Sequence, residues 1–284
     1  MPERARVSSA HISPSAHYTG YVWYRHQLAD AAFKTGFGRF VHGLLSPITW
    51  GARVGFGLDI ELFLLQRHLQ IDAQLTAAIE QRGVCQVVEI ACGLSPRGRR
   101  FTARYPQLRY VEADLPVMAA RKRLLLHAQG WLGSQHQVRS VDILAEDGSR
   151  SLSALFAELD RSKPLVVITE GLVNYFELPL IESFWTRLAE QLRVFPQATY
   201  LTELYPDLHE HPRYRQLRWG VDLIGRLTRG SYPLHYRDDQ AIAQGFQRCG
   251  FTDVTVFDPS LTSHALGLAP SRNAGLVRVV EARV

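Results

Sequence analysis

Cysteine is scarce: Cys85, Cys92 and Cys249 are the only three in 284 residues. Their odd number and the lack of any C-x-x-C spacing exclude a disulfide framework and give no zinc ribbon. No H-E-x-x-H run occurs, and the eleven histidines are scattered; His209 and His211 lie two apart in a proline-containing stretch that reads as solvated loop, so no metal site is expected. There is no block of one charge sign. The formal charge of +5 comes from basic residues spread along the chain, which speaks against a nucleic-acid partner. Long hydrophobic runs are missing too. Residues 7–24 carry no charge, but their Ser, Pro and His content makes a poor bilayer span and a poor signal-peptide core. The expectation is a soluble, cytoplasmic protein with no membrane partner, and nothing in the composition speaks to oligomeric state.

What is present is apolar material in quantity. At 46% hydrophobic and 21% charged residues the chain has enough to bury a core and is not disordered. From Gln86 short apolar runs alternate with helical patterns, the mark of βαβ units and a parallel sheet. The spacing predicts strands at 86–90, 108–113, 137–141, 165–169 and 199–204. Helices are expected at 97–104, after a Ser95-Pro96 start, and from Leu115-Pro116 to about 129. The stripe Leu180, Ile181, Phe184, Trp185, Leu188 and Leu192 predicts another, core-facing helix. A helix at 238–249 closes on Gly250, and two late strands, 251–257 and 276–282, imply an antiparallel edge on a mostly parallel sheet.

Residues 1–20 read as a loosely ordered arm and 21–82 as helices wrapped on the sheet. The chain thus divides into an N-terminal extension, 1–82, and an α/β core, 83–284. Between 205 and 236 the alternation gives way to Arg, His, Tyr and Pro. This segment is the expected acceptor-facing lid, with Arg213, Arg215 and Arg218 as possible anchors for an acceptor carboxylate.

In an open α/β sheet the ligand lies beyond the carboxyl ends of the strands. Gly93 permits close backbone approach there, Asp114 suits ribose hydroxyls, and Asp142 and Glu170 add acid at further strand ends. Such an edge fits a nicotinamide dinucleotide or S-adenosylmethionine. A dinucleotide requires a G-x-G-x-x-G turn; Ala91, Gly93 and Pro96 occupy those positions, so two of the three glycines are missing and an NAD(P)-dependent oxidoreductase is the weaker reading. Cys92 reads as a packing residue. The arginines Arg97, Arg99, Arg100 and Arg104 read mostly as a solvated helix face, with Arg97 the one able to point back to the ligand.

The run Val87-Val88-Glu89-Ile90-Ala91-Cys92-Gly93-Leu94-Ser95-Pro96-Arg97 resembles the first motif of the leucine carboxyl methyltransferase family, which includes polyketide-type O-methyltransferases. Tyr110-Val111-Glu112-Ala113-Asp114-Leu115-Pro116 resembles its second motif, and Thr169-Glu170-Gly171-Leu172-Val173-Asn174-Tyr175-Phe176 the motif after its fourth strand. Order and separation agree across residues 60–200. The departures are Ala91 for a glycine and Ser95-Pro96 for an Asp-Thr pair.

The resemblance implies a Rossmann-like class I methyltransferase with a seven-stranded sheet, using S-adenosylmethionine to methylate a carboxylate or hydroxyl oxygen of a small molecule or protein terminus. By the same resemblance Gly93 lines the methionine part of the cofactor, Asp114 binds the ribose, Asp142 and Ile143 flank the adenine, Glu170 faces the cofactor, and Arg67 binds the methionine carboxylate. Tyr175, His209, His211 and His235 are candidate bases by residue type alone. The altered first motif keeps one alternative open, a catalytically silent cofactor-binding scaffold.

Overall fold

The structure is a computed structural model describing residues 13–56, 59–209, 214, 232–268 and 275–284. Strands β1 (Gln86–Ile90), β2 (Arg109–Asp114), β3 (His136–Ser140), β4 (Leu165–Thr169), β5 (Ala198–Leu204), β6 (Asp253–Phe257) and β7 (Arg278–Arg283) form one seven-stranded sheet in the order β3-β2-β1-β4-β5-β7-β6. β1 to β5 are parallel, and β7 runs antiparallel to both of its neighbours. The antiparallel strand sits one place in from the rim. Its Val-rich run is buried along most of its length, as insertion between two strands requires, whereas β6 is largely accessible and forms the edge.

The core helices are α4 (Arg97–Arg104), α5 (Pro116–Ala128), α6 (Leu152–Ala157), α7 (Leu178–Leu192) and α8 (Asp239–Arg248). Local chemistry sets their ends. Asp238 caps α8 by accepting from the Ala241 amide at 2.7 Å, and Ser151 caps α6 through Ala154. α6, only six residues long, has too few turns to show a helical period. In α7 the residues Ile181, Phe184, Trp185, Leu188 and Leu192 are buried as expected, but Leu180 is 42% exposed. It lies beside the i, i+3, i+4, i+7 stripe and not on it.

Three helices precede the sheet: α1 (Ser13–Arg25), α2 (Gly36–Phe56) and α3 (Ile60–Arg82). The expected loose arm is therefore corrected from Ser13 onward, residues 1–12 lying outside the described part. Val22 and Trp23 of α1 are buried against Leu64 and Leu65 of α3, and that burial overrides a sequence with little helical signal. α3 begins where Asp59 accepts from the Leu62 amide and ends at Gly83, φ 68°. Its buried positions are mixed: beside apolar residues such as Ile71 and Leu75, the polar Gln66, Arg67, His68, Gln70 and Asp72 are all buried. Among the described residues no helix is long and apolar enough to cross a membrane.

The deepest packing lies between α7, α8 and β5. Trp185 has its indole over Phe246, ring centroids 4.2 Å apart, and Nε1 donates to the Tyr200 hydroxyl at 3.2 Å. Trp185→Ala is expected to destabilise the fold by about 3–5 kcal/mol, read as a lowered midpoint in urea unfolding.

Candidate active site

The chain order reverses between β1 and β4, and the turn from β1 to α4 lies at that switch. Two of its residues have left-handed backbone, Ala91 at φ 54° and Gly93 at φ 48°. Ala91 thus keeps, at some strain, a conformation that suits glycine. Asp114 ends β2 beneath this turn: Oδ2 accepts from the Gly93 amide and Oδ1 from the Leu115 amide, each at 2.7 Å. It does not cap α5, whose flanking residue Leu115 has no side-chain cap. Burial raises the Asp114 carboxyl pKa against the pull of those two amides. Each of its oxygens keeps a lone pair for a further donor, as the two hydroxyls of a ribose would provide.

Arg97, at the start of α4, is fully buried. Its Nε donates to Asp72 Oδ1 of α3, Nη1 to Glu89 Oε1 of β1 and Nη2 to Glu170 Oε2 after β4, each at 2.6 Å. Every nitrogen of its fork is committed to protein carboxylates. Arg97, expected to be the one arginine of this helix able to point back to the ligand, does turn inward, but onto protein carboxylates. Arg100 is half-buried and pairs with Asp72, while Arg104 is exposed beside Glu80.

Arg67 stands next to this network. Its Nε donates to Glu170 Oε1 at 3.2 Å and its Nη1 faces Glu203 Oε1 at 3.5 Å and the Tyr205 hydroxyl at 3.4 Å. The Nη2 atom faces Gly171, 3.3 Å from where a Cβ would stand. His68 Nδ1 lies 2.8 Å from Glu170 Oε2, and the ring stacks on Trp23 of α1 at 4.2 Å. Burial disfavours ionised Glu170, but the His68 ring and the Arg97 guanidinium outweigh it, holding the carboxyl well below the usual range. Glu203, two per cent exposed, goes the other way: burial pushes it up to about 7 despite Arg67, with the Glu170 charge adding to the rise. Its Oε1 accepts from the Gly171 amide at 2.6 Å, and its Oε2 has no hydrogen-bond partner among the described residues.

Asp142 lies past the end of β3, where its Oδ1 accepts from Leu144 N at 3.0 Å. Ile143 is buried in the main core cluster. Gly93, Asp114, Arg67, Glu170, Asp142 and Ile143 thus all fall at or beyond the carboxyl ends of β1 to β4 or on the facing helix α3. The candidate bases are dispersed. Tyr175 packs edge-on against Tyr232 at 5.4 Å; His235 is buried, with burial lowering its pKa; His209 is exposed, 2.9 Å from Asp207. His211, Arg213, Arg215, Arg218 and most of the expected lid lie outside the described residues.

Three contributors were not foreseen. Glu203 is one more acid near a strand's carboxyl end, the signal that had marked Asp114 and Glu170. Asn174 ties the post-β4 turn to the chain after β5, donating to Tyr205 O and Pro233 O and accepting from Tyr205 N. α1 lies over the β1–α4 turn: a Cβ on Gly93 would stand 3.2 Å from the Ala16 Cβ, and one on Gly20 3.1 Å from the Leu94 Cβ.

Residues 58–184 match the family model for leucine carboxyl methyltransferase. No curated protein matches the chain. Among solved structures, a DUF574 family protein from Streptomyces avermitilis is similar at a TM-score of 0.64 and 15% identity, covering 96% of this chain and 99% of that one. A candidate methyltransferase from Thermobifida fusca gives 0.59 and 13%, covering 98% of each chain. "PigF with SAH" gives 0.52 and 14%, covering 87% of this chain and 72% of that one. At these identities the likeness shows the fold, that of the class I methyltransferases. Fold and family match point the same way, to similarity with the S-adenosylmethionine-dependent methyltransferases. Within the chain, the stretch from α3 into α7 carries the leucine carboxyl methyltransferase match.

Two outcomes follow from this geometry. Arg97→Met leaves Asp72, Glu89 and Glu170 without their shared cation and is expected to cost about 3–5 kcal/mol, measured by denaturant unfolding. Ala91→Gly relieves the left-handed strain at the turn. Because glycine also gains freedom in the unfolded chain, the net stabilisation expected is about 0.5–1 kcal/mol, seen as a higher melting temperature, whereas Gly93→Ala lowers it.

Proposed function

We propose that the protein transfers a methyl group to an oxygen of a small molecule or protein terminus, and that the oxygen is a hydroxyl. The observation that carries this reading is Glu203. A buried carboxyl with a pKa of about 7 and one unpartnered oxygen is suited to take a hydroxyl proton near neutral pH. A carboxylate acceptor needs no base. It would also approach guanidinium groups, Arg67 and Arg97, that already face Asp72, Glu89, Glu170 and Glu203.

The residues present fit the cofactor. Asp114 would accept from the ribose hydroxyls, Gly93 would allow close approach of the methionine portion, and Asp142 and Ile143 would flank the adenine. Arg67 would offer Nη2 to the methionine carboxylate, its guanidinium oriented by Glu170 and Glu203. The left-handed backbone at Ala91 keeps the turn's shape despite the altered motif, which supports a working enzyme over a silent scaffold. When bound, S-adenosylmethionine supplies a methyl on a positive sulfonium, open to in-line displacement. The protein's part is alignment and exclusion of water, with Glu203 holding the proton released from the acceptor.

Methyl label transferred from S-adenosylmethionine into extracted small molecules or protein is expected to survive mild alkali, as an ether does. Volatile methanol released by alkali would show an ester and overturn the hydroxyl assignment. Glu203 also has a signature independent of any acceptor. Its folded pKa lies above the ordinary 4.5, so the folded state binds more protons between about 4.5 and 7, and stability falls as pH rises through that window. Melting curves of wild type and Glu203→Gln are expected to diverge there, the variant lacking this loss.

A further inference from the structure

Beneath the turn from β1 to α4 lies a lysine. Lys122 of α5 is fully buried, a rare state for a lysine unless it is paired. Its Nζ donates to Ser95 O at 2.6 Å and to Gly93 O at 3.4 Å, and it pairs with Glu112 Oε1 of β2 at 3.2 Å. An ammonium has three donors and no acceptor; two go to these carbonyls, and Glu112, whose carboxylate oxygens have no hydrogen-bond partner among the described residues, supplies the opposite charge. The Phe33 ring lies 5.6 Å from Nζ. Behind Glu112 stands His136, its Nε2 3.6 Å from Glu112 Oε2. Gly98 of α4 leaves room for both, since a Cβ there would run into the Glu112 carboxylate and the His136 ring.

We propose that Lys122 is a positioning residue that sets the curvature of the cofactor turn and, through it, cofactor affinity; the proposal rests on the reading of this turn as the S-adenosylmethionine site. In a trans peptide the N–H points opposite to its carbonyl. Drawing the Gly93 carbonyl inward therefore turns the Leu94 N–H away from Lys122, and the Ser95 carbonyl is fixed in the same manner. A glycine-rich turn reaches such peptide orientations through backbone freedom. Here only Gly93 supplies that freedom, Ala91 is held in a left-handed conformation it does not favour, and Pro96 is rigid. Two hydrogen bonds from one buried cation take over the work of the missing glycines. The Glu112 charge keeps that cation protonated despite burial, its pKa being raised and not lowered.

A merely structural ion pair would show the same distances, so the test must separate the pair from the turn. Lys122→Met leaves Glu112 buried and unpaired, and its melting temperature is expected to fall. Lys122→Met/Glu112→Gln removes the orphan charge and recovers most of that loss. Calorimetric titration with S-adenosylhomocysteine is expected to show at least tenfold weaker binding in both variants, with faster exchange of the Gly93 to Ser95 amides and none of that acceleration within β1. If the double variant binds within twofold of wild type with unchanged exchange, Lys122 serves only the pair and the proposal is overturned. Lys122→Arg keeps the charge opposite Glu112 but not the tetrahedral donor set, and it carries the same expectation should the methionine variants fail to fold. Wild type that binds no S-adenosylhomocysteine would instead overturn the reading of the cofactor site, and amide exchange would then decide whether Lys122 shapes the turn.

Discussion

One guanidinium holds the site together. Arg97 reaches α3 through Asp72, β1 through Glu89 and, much further along the chain, the end of β4 through Glu170. Burying so many charges gains little net stability over an apolar core, but removing any one partner leaves uncompensated charge. The constraint is therefore one of geometry. With Arg97 in place, Glu170 is ionised and fixed, and Arg67 in turn takes its position from Glu170 and Glu203. A loop site open to water could not hold an arginine so firmly, because each contact would compete with solvent.

The same sheet end treats its acids in different ways. Glu170 stays charged because cations surround it, Asp114 is tied to two backbone amides, and Glu203 sits between an arginine and another carboxylate and holds its proton toward neutrality. Groups of one chemical type are driven apart in behaviour by their surroundings. On the proposed reading, this separation lets one edge both bind a donor-rich ligand and exchange a proton.

The parallel sheet was readable because its strands are short apolar runs between turn residues. β4 falls on the expected 165–169 and β1 on 86–90; β2 and β3 are each offset by one residue toward or away from the acid that follows. Periodicity sees which face is apolar, and this explains both α7 and the misplaced Leu180. It does not see long-range charge pairing. In α4 the local sequence marks Arg97 only as able to point back to the ligand and not as buried, since what buries it is a set of carboxylates on three other elements. α1 was missed for a related reason: its helix is stabilised by Trp23 and Val22 packing on α3, a contact that no window of its own sequence contains. Glu203 was within reach by the rule that marked Asp114 and Glu170, but it lies inside the strand pattern and was absorbed into it.

The close packing of α1 over the β1–α4 turn works through small residues on both sides, Ala16 opposite Gly93 and Gly20 opposite Leu94. Neither segment is therefore free to vary alone. A larger side chain in one needs a smaller one in the other or a withdrawal of the helix, so substitutions at Ala16 and at Gly93 should combine non-additively. The region of the chain that looks least ordered by composition thus answers to the same steric limit as the most distinctive glycine in the sequence.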